Sequence, residues 1–514
     1  MTKPEVVSAA TWRQRATALR PRTEPFINGK FVSTDAPRRS DISPVDGRLL
    51  AEVADCGPQE IDAAVTSARK TFDSSAWSAL AAKDRKRALL AFADVLEAHS
   101  EELALLETLD CGKTISNSLG KDLPKSVNCV RWFAELIDKI EDEIPATRRD
   151  ALAIISREAL GVIGIITPWN YPLYFALAKA SPALAAGNCV VLKPSEHSPL
   201  TSLRCAELAV EAGLPPGVLN VVPGSGDQAG QALCRHMDVD AIAFTGSTRV
   251  GGLVMQYAGD SNIKKVSLEC GGKSPQLVLA DCESLEHAAA AVASGIFYNQ
   301  GEVCNAGSRL IVERPVREEL LERIALASRN YLPGDPLDSS VQMGALIHQQ
   351  HMLKVLRDIE TGKQEGARLL LGGKRQRLES GGFYIEPTIF DRANNDMQIA
   401  REEIFGPVLT VIDANDADDA VRIANDSVYG LAAGLWTSNV TKAHTIARQL
   451  RAGSVWVNSF NVSDITVPFG GFKRSGFGKD KSRHALDKYT ELKMTWIELS
   501  AHGELLSQPS DDVP

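Results

Sequence analysis

GVIGII (161–166), NCVVLK (188–193), GVLNVV (217–222), DAIAFT (240–245) and KKVSLE (264–269) are short β-branched runs spaced by helical stretches. They lack the polar alternation of a half-buried strand, so both faces of each are expected to be covered. The segments between them, such as PLYFALAKASPALAAG and PLTSLRCAELAVEAG, have helical periodicity and end at Gly187 and Gly213. Glycine is expected there because the residue closing a helix commonly adopts a left-handed conformation. Alternating strand and helix predicts an α/β fold with a doubly wound parallel sheet, whose ligands lie beyond the C-terminal ends of the strands.

A second α/β series starts near Gln276 (QLVLAD) and continues with a helical stretch Leu285–Phe297, the strand RLIVER (309–314), and further strand candidates in YIEPTIF, PVLTVID and SVWVNS. Its first loop, YNQGEVCNAGS, carries Cys304, and loops on rigid scaffolds are frequent sites of catalysis. Upstream, the Ala/Leu/Glu/Lys-rich block from Ile61 to Lys139 reads as helical. Residues 1–30 read as a polar arm and the tail after Ser500 as disordered. At 514 residues the chain is long enough for two or three domains. The balance of 56 basic and 65 acidic residues, net −9, offers no general attraction to nucleic acid or anionic lipid, which leaves small molecules as partners. Nine cysteines without a CxxC pair predict reduced thiols in a cytoplasmic protein. Met1 to Pro21 lacks the apolar run of a secretory signal, and no 18-residue apolar stretch predicts a membrane span. His348 and His351 in IHQQH read as a solvated helix face, and no metal site is expected.

Several motifs follow the strands. Gly224, Gly226 and Gly230 form GxGxxxG, one residue longer than the dinucleotide fingerprint and equally readable as a turn. Gly246 and Ser247 open a helix whose N-terminus suits a pyrophosphate. Lys193 and Glu196 at a strand end suit ribose hydroxyls, or are solvated loop charges. Asn170, in TPWNYP, is an amide donor or a turn former. Glu269 is delivered into Cys270-Gly271-Gly272-Lys273, as a reactive carboxylate or a surface one. Cys304 lies in a polar loop between Gly301 and Gly307, whereas Cys189 and Cys205 read as small buried hydrophobes.

In order and spacing, PWNYP, KPSE, FTGS, LECGGK, NQGEVCNAGSR, EEIFGP and PFGGFKRSG resemble the motifs of the aldehyde dehydrogenase superfamily, from about Phe26 to Ile497. The resemblance implies a Rossmann-like cofactor domain (1–141 and 162–272), a second α/β catalytic domain (273–474), and β oligomerisation strands (142–161 and 488–500), with 501–514 as the tail. It implies Cys304 as nucleophile, Asn170 as oxyanion donor, Glu269 as general base, and Lys179 with Glu491 as proton relay. It places NAD, with NADP possible, against Ile166, Thr167, Pro168, Trp169, Lys193, Ser195, Glu196, Gly226, Gly230, Phe244, Gly246, Ser247, Gly271, Glu403 and Phe405. A dimer or tetramer is also implied.

Within the superfamily, FYNQGEVC, NSLGKDLP and the stretch from Asn458 to Lys493 resemble the γ-glutamyl-γ-aminobutyraldehyde and 4-guanidinobutyraldehyde dehydrogenases of putrescine and arginine catabolism. The implied substrate is an ω-amino, γ-glutamylamino or guanidino aldehyde. Tyr171, Phe175 and Phe469 are expected as pocket walls, and Asp464 and Asp122 as carboxylates for a cationic substrate end. Betaine or simple aliphatic aldehydes are the alternative substrates. A non-catalytic cofactor-binding homologue is the alternative from another class.

Overall fold

The structure, a computed structural model, describes residues 7–499. The quoted runs form largely buried strands: β1 (Val162–Ile166), β2 (Cys189–Lys193), β3 (Leu219–Val221), β4 (Ala241–Gly246) and β5 (Lys265–Cys270). They pair in parallel in the order β3-β2-β1-β4-β5. The order reverses between β1 and β4, and that reversal opens a crevice at the C-terminal ends of the strands. Helices α1 (Pro172–Ala185), α2 (Leu200–Glu211) and α3 (Thr248–Gly259) connect them. Gly187 and Gly213 follow α1 and α2 with φ of 99° and 93°, the left-handed geometry that stops each helix.

The two edges of this sheet come from distant sequence. Phe26–Ile27 pairs antiparallel with β3, and Gly476–Phe477 pairs antiparallel with β5, setting Gly476 opposite Glu269. The second pairing requires glycine: Gly476 has φ +107°, and a Cβ there would lie 2.0 Å from the Leu268 carbonyl oxygen. It carries the C-terminal segment back to the end of β5, and Ala485, Leu486 and Tyr489 join the core beneath that sheet.

The second sheet contains β6 (Pro275–Val278), β7 (Arg309–Glu313), β8 (Thr388–Ala393), β9 (Val408–Ala414), β10 (Ala432–Trp436) and β11 (Ser454–Val457). These run in parallel in the order β8-β9-β7-β6-β10-β11. The predicted helix α4 spans Leu285–Phe297, capped by the Ser284 hydroxyl, which accepts from His287 N at 3.2 Å. The Cys304 loop joins α4 to β7.

The segments expected to mediate assembly form a ribbon within the chain. Ala151–Ala159 pairs antiparallel with Thr490–Glu498 along their full length, leaving Leu492, Met494, Trp496 and Leu499 exposed. The N-terminal arm departs from expectation. Ala9–Ala18 is a helix, and Trp12 is buried against Ala104, Leu105, Leu109, Ile115 and Leu337. Trp12 is the large aromatic anchor of this segment, and Val7, Ala16 and Leu19 pack on the same cluster. The tail 501–514 lies outside the described residues.

Candidate active site

Cys304 lines a cavity of about 370 Å³. The loop that presents it begins with Asn299, Gln300 and Gly301, all at positive φ, and such a run persists only where its surroundings hold it. Burial pushes the Cys304 thiol up to about 12, with the Glu269 and Glu403 carboxylates adding to the effect. The resting thiol is therefore protonated and needs a base. Glu269, near the end of β5, is buried, and neither carboxylate oxygen has a hydrogen-bond partner among the described residues. Burial raises its pKa, Asp480 adds to the rise, and Lys179, Lys488 and Lys479 oppose it. A desolvated, unpartnered carboxyl of this kind suits general-base work.

Asn170 completes the group. Its Nδ2 donates to the Glu302 carbonyl at 2.8 Å, and the same carbonyl accepts from Asn299 Nδ2 at 3.2 Å. That bond pins the amide to the Cys304 loop and uses one of its two N–H donors. Gly272, just after β5, passes so near the loop that a Cβ there would lie 2.9 Å from the Cys304 carbonyl oxygen.

Of the two expected relay residues, the structure brings only Lys179 to Glu269. Lys179 is buried and donates to Asp480 Oδ2 at 3.0 Å, while Lys488 holds the other oxygen. Burial alone would raise the Asp480 carboxyl, but these two ammonium groups hold it well below the usual range. Glu491 is misplaced by the sequence reading. It is exposed on the ribbon and pairs with Lys265 at 2.5 Å, at the opposite end of β5 from Glu269. Lys265 and Glu269 are four residue steps apart along the strand, about 13 Å. Asp480 is the residue missed, and its signal was the segment after PFGG, which returns to β5.

The expected cofactor residues gather at the crevice. Ile166 ends β1 and leads into Thr167, Pro168 and Trp169, with Thr167 N donating to the Lys193 carbonyl at 3.2 Å. Lys193 ends β2 and donates to Glu196 Oε2 at 3.3 Å. Burial works against ionisation of Glu196, yet Lys193 keeps its pKa below the ordinary value. The Ser195 hydroxyl accepts from His197 N. Gly226–Gly230 is a helical turn rather than an extended fingerprint loop, and Gly230 lies near the Lys193 side chain. Phe244 and Gly246 end β4, and the Ser247 hydroxyl caps α3 by accepting from Val250 N at 3.3 Å. Glu403 Oε1 accepts from Gly272 N at 3.0 Å, and burial raises its carboxyl to about 7. Gly271 has no room for a side chain, since a Cβ would fall 1.9 Å from Glu403 Oε2. The Phe405 ring meets Trp169 edge-on at 5.1 Å.

His348 and His351 are not a solvated face. His348 Nδ1 caps the helix Gln349–Gln364 by accepting from His351 N at 3.0 Å, and the His351 ring packs on Trp169, with Nε2 2.8 Å from the Phe405 carbonyl. Burial lowers His351 to about 4 from an ordinary 6.5. Between those values the unfolded chain binds more protons than the folded one, so stability falls as pH drops from about 6.5 towards 4. His351→Gln is expected to flatten that part of a plot of Tm against pH. An unchanged slope would exclude His351 as its source. Among the described residues no group of His, Cys, Asp or Glu forms a metal site.

Tyr171, Phe175, Phe469 and Asp122 line the Cys304 cavity; Asp464 does not. Its exposed carboxylate turns into its own loop, accepting from Thr466 N at 2.8 Å and Thr466 Oγ1 at 2.7 Å. Asp122 is already committed. Lys113 holds it at 2.6 Å and Glu107 at 3.0 Å, all three side chains being buried. Sequence reading missed Lys125, Trp456 and Lys481, which also line the cavity.

A doubly wound parallel sheet of the nucleotide-binding type, beside a cavity lined by a cysteine and near a buried unpartnered carboxyl and a pinned amide, is the setting of an α/β enzyme. The chain matches the aldehyde dehydrogenase family over residues 31–495 and belongs to it. It is 49% identical over 493 residues to the NADP/NAD-dependent aldehyde dehydrogenase PuuC of Escherichia coli K12, covering 96% of this chain and 99% of that one. The indole-3-acetaldehyde dehydrogenase AldA of P. syringae, solved with NAD+ and IAA, is 54% identical with a TM-score of 0.95, covering 96% of this chain and 100% of that one. The γ-glutamyl-γ-aminobutyraldehyde dehydrogenase of Burkholderia cenocepacia is 52% identical with a TM-score of 0.94, over the same shares. Among the described residues no helix is long and apolar enough to cross a membrane.

Proposed function

We propose that this aldehyde dehydrogenase oxidises an aminoaldehyde of polyamine or arginine catabolism to the carboxylate, with NAD as the preferred cofactor and NADP as a second. The observation that carries the chemistry is the meeting of Cys304, Glu269 and Asn170 at the junction of the two sheets. The names of PuuC and of the Burkholderia enzyme support the cofactor and substrate class.

The crevice fits a dinucleotide. Thr167 Oγ1 is buried there without a partner among the described residues, α3 offers its N-terminus at Ser247, and Lys193 with Glu196 stands at the end of β2. The Glu196 carboxylate repels a 2′-phosphate, which favours NAD. When bound, the cofactor accepts hydride from the substrate carbon. Cys304 Sγ bonds to the aldehyde carbon as its proton leaves to Glu269, and the Asn170 amide with the Cys304 backbone N–H stabilises the oxygen. After oxidation the acyl group is held on Sγ as a thioester. Once Glu269 has given up the proton received from the thiol, it takes one from the attacking water, Sγ leaves as the thiolate, and the carboxylate is released. Lys179, holding Asp480 next to Glu269, provides the route by which that proton moves on.

The apolar ribbon edge, with Trp496 and Met494 exposed, supports assembly as a dimer or tetramer, and nine free thiols support a cytoplasmic setting. Aromatic walls from Tyr171, Phe175, Trp456 and Phe469 favour a second reading, an aryl aldehyde. Formation of reduced nicotinamide separates the readings, using 4-aminobutyraldehyde, γ-glutamyl-γ-aminobutyraldehyde, 4-guanidinobutyraldehyde, betaine aldehyde, propanal and indole-3-acetaldehyde. The highest kcat/KM is expected on one of the first three. Absence of turnover on all six would overturn the enzymatic reading.

A further inference from the structure

The charges around the cavity are unevenly satisfied. Its two lining carboxylates, Asp122 and Asp480, are each bound by buried or half-buried lysines, Asp122 by Lys113 and Asp480 by Lys179 and Lys488. The two lining lysines, Lys125 and Lys481, have no salt-bridge partner among the described residues. Lys125 is exposed, and Lys481 is half-buried, reaching the Ser463 hydroxyl and lying 5.1 Å from the centre of the Phe469 ring. Lys121, over the Tyr298 ring at 4.4 Å, adds positive charge beside them. Asp464 feels Lys481 and its hydrogen bonds to Thr466 favour the charged form, but it does not line the cavity, its Oδ1 being turned to Thr466. A cationic substrate end would therefore meet ammonium groups.

We propose that Lys125 and Lys481, with the Ser463 hydroxyl that Lys481 reaches, form a subsite for a carboxylate at the end of the substrate remote from the aldehyde. This rests on the reading that the chain oxidises aldehydes at Cys304. It selects, among aminoaldehydes, those acylated by an amino acid whose carboxylate is free, over those ending in a bare ammonium or guanidinium. Burial, reinforced by the like charge of Lys125, lowers the Lys481 pKa, a stress that an anion placed between the two lysines relieves. Paired lysine donors give charge-assisted hydrogen bonds to a carboxylate, while Phe469 and Trp456 cover the alkyl chain between that end and Cys304.

The test compares 5-oxopentanoate with its methyl ester, and γ-glutamyl-γ-aminobutyraldehyde with 4-aminobutyraldehyde. Wild type is expected to favour the member of each pair that carries a free carboxylate, 5-oxopentanoate and the zwitterionic γ-glutamyl aldehyde, by at least tenfold in kcat/KM. Lys481→Met should erase most of that preference through KM, Lys481→Arg should retain it, and Lys481→Glu should invert it towards 4-aminobutyraldehyde. A second readout needs no turnover: glutarate should slow alkylation of Cys304 by iodoacetamide in wild type and fail to do so in Lys481→Met. No turnover on any aldehyde would defeat the enzymatic reading, while glutarate protection would still report on the subsite. Equal use of acid and ester, a Lys481→Met loss that is uniform across all four substrates, or no glutarate protection would overturn the carboxylate subsite.

Discussion

Replacing Cys304 with alanine is expected to remove aldehyde turnover, by about 10⁴-fold or more, because the substitution deletes the only protein atom that bonds to the substrate carbon in the proposed sequence. Asn170 and Glu269 remain, yet neither can convert a bare carbonyl carbon into a hydride donor. The substitution removes only the sulfur of a half-buried side chain, so the fold is expected to be retained. The dinucleotide crevice lies at the ends of β1, β2 and β4, and Cys304 reaches none of the side chains that line its ribose end. Cofactor affinity, measured by calorimetry or by quenching of protein fluorescence, should stay within about twofold of wild type, since no cofactor-contacting charge is altered. Turnover that survives in Cys304→Ala would exclude the thiol as nucleophile.

Glu269→Gln is expected to lower kcat by about 10²–10⁴-fold, the usual worth of a positioned general base. The amide keeps the size of the side chain and removes the proton acceptor. Both Glu269 oxygens lack a protein partner among the described residues, so the change breaks no hydrogen bond that supports the fold. If Glu269 serves mainly in hydrolysis, the variant should form acyl-enzyme in a first rapid turnover and then stall. Intact-mass measurement would then find the acyl group on Cys304. Because burial raises the Glu269 pKa, wild-type kcat should climb with pH as this carboxyl loses its proton, and the variant should lose that limb of the profile. A variant with wild-type kcat and an unchanged profile would assign the base to another group.

Much of the architecture was legible from local pattern. The β-branched runs without alternation became buried parallel strands, and Gly187 and Gly213 ended helices for the stereochemical reason expected of them. The alanine-rich stretch Leu285–Phe297 formed a helix with those bounds. Cys304, Glu269 and Asn170 each had a bland local reading as well as a reactive one, and it was the order and spacing of the family-like motifs around them that singled them out. Trp12 was hidden for the converse reason. Its partners include Leu105 and Leu337, which no local window around residue 12 contains.

Charge was the part that only tertiary structure decided. From sequence alone Asp122, Asp464, Asp480 and Glu491 are equivalent carboxylates near informative motifs. In the fold Asp122 is spent on Lys113, Asp464 on its own loop and Glu491 on Lys265, while Asp480 stands beside Glu269 between Lys179 and Lys488. Hydrophobic periodicity and backbone stereochemistry act over a few residues and can be read along the chain. The role of a carboxylate depends on its burial and on its nearest counter-charge, and both are set by segments hundreds of residues apart that meet only when the chain folds.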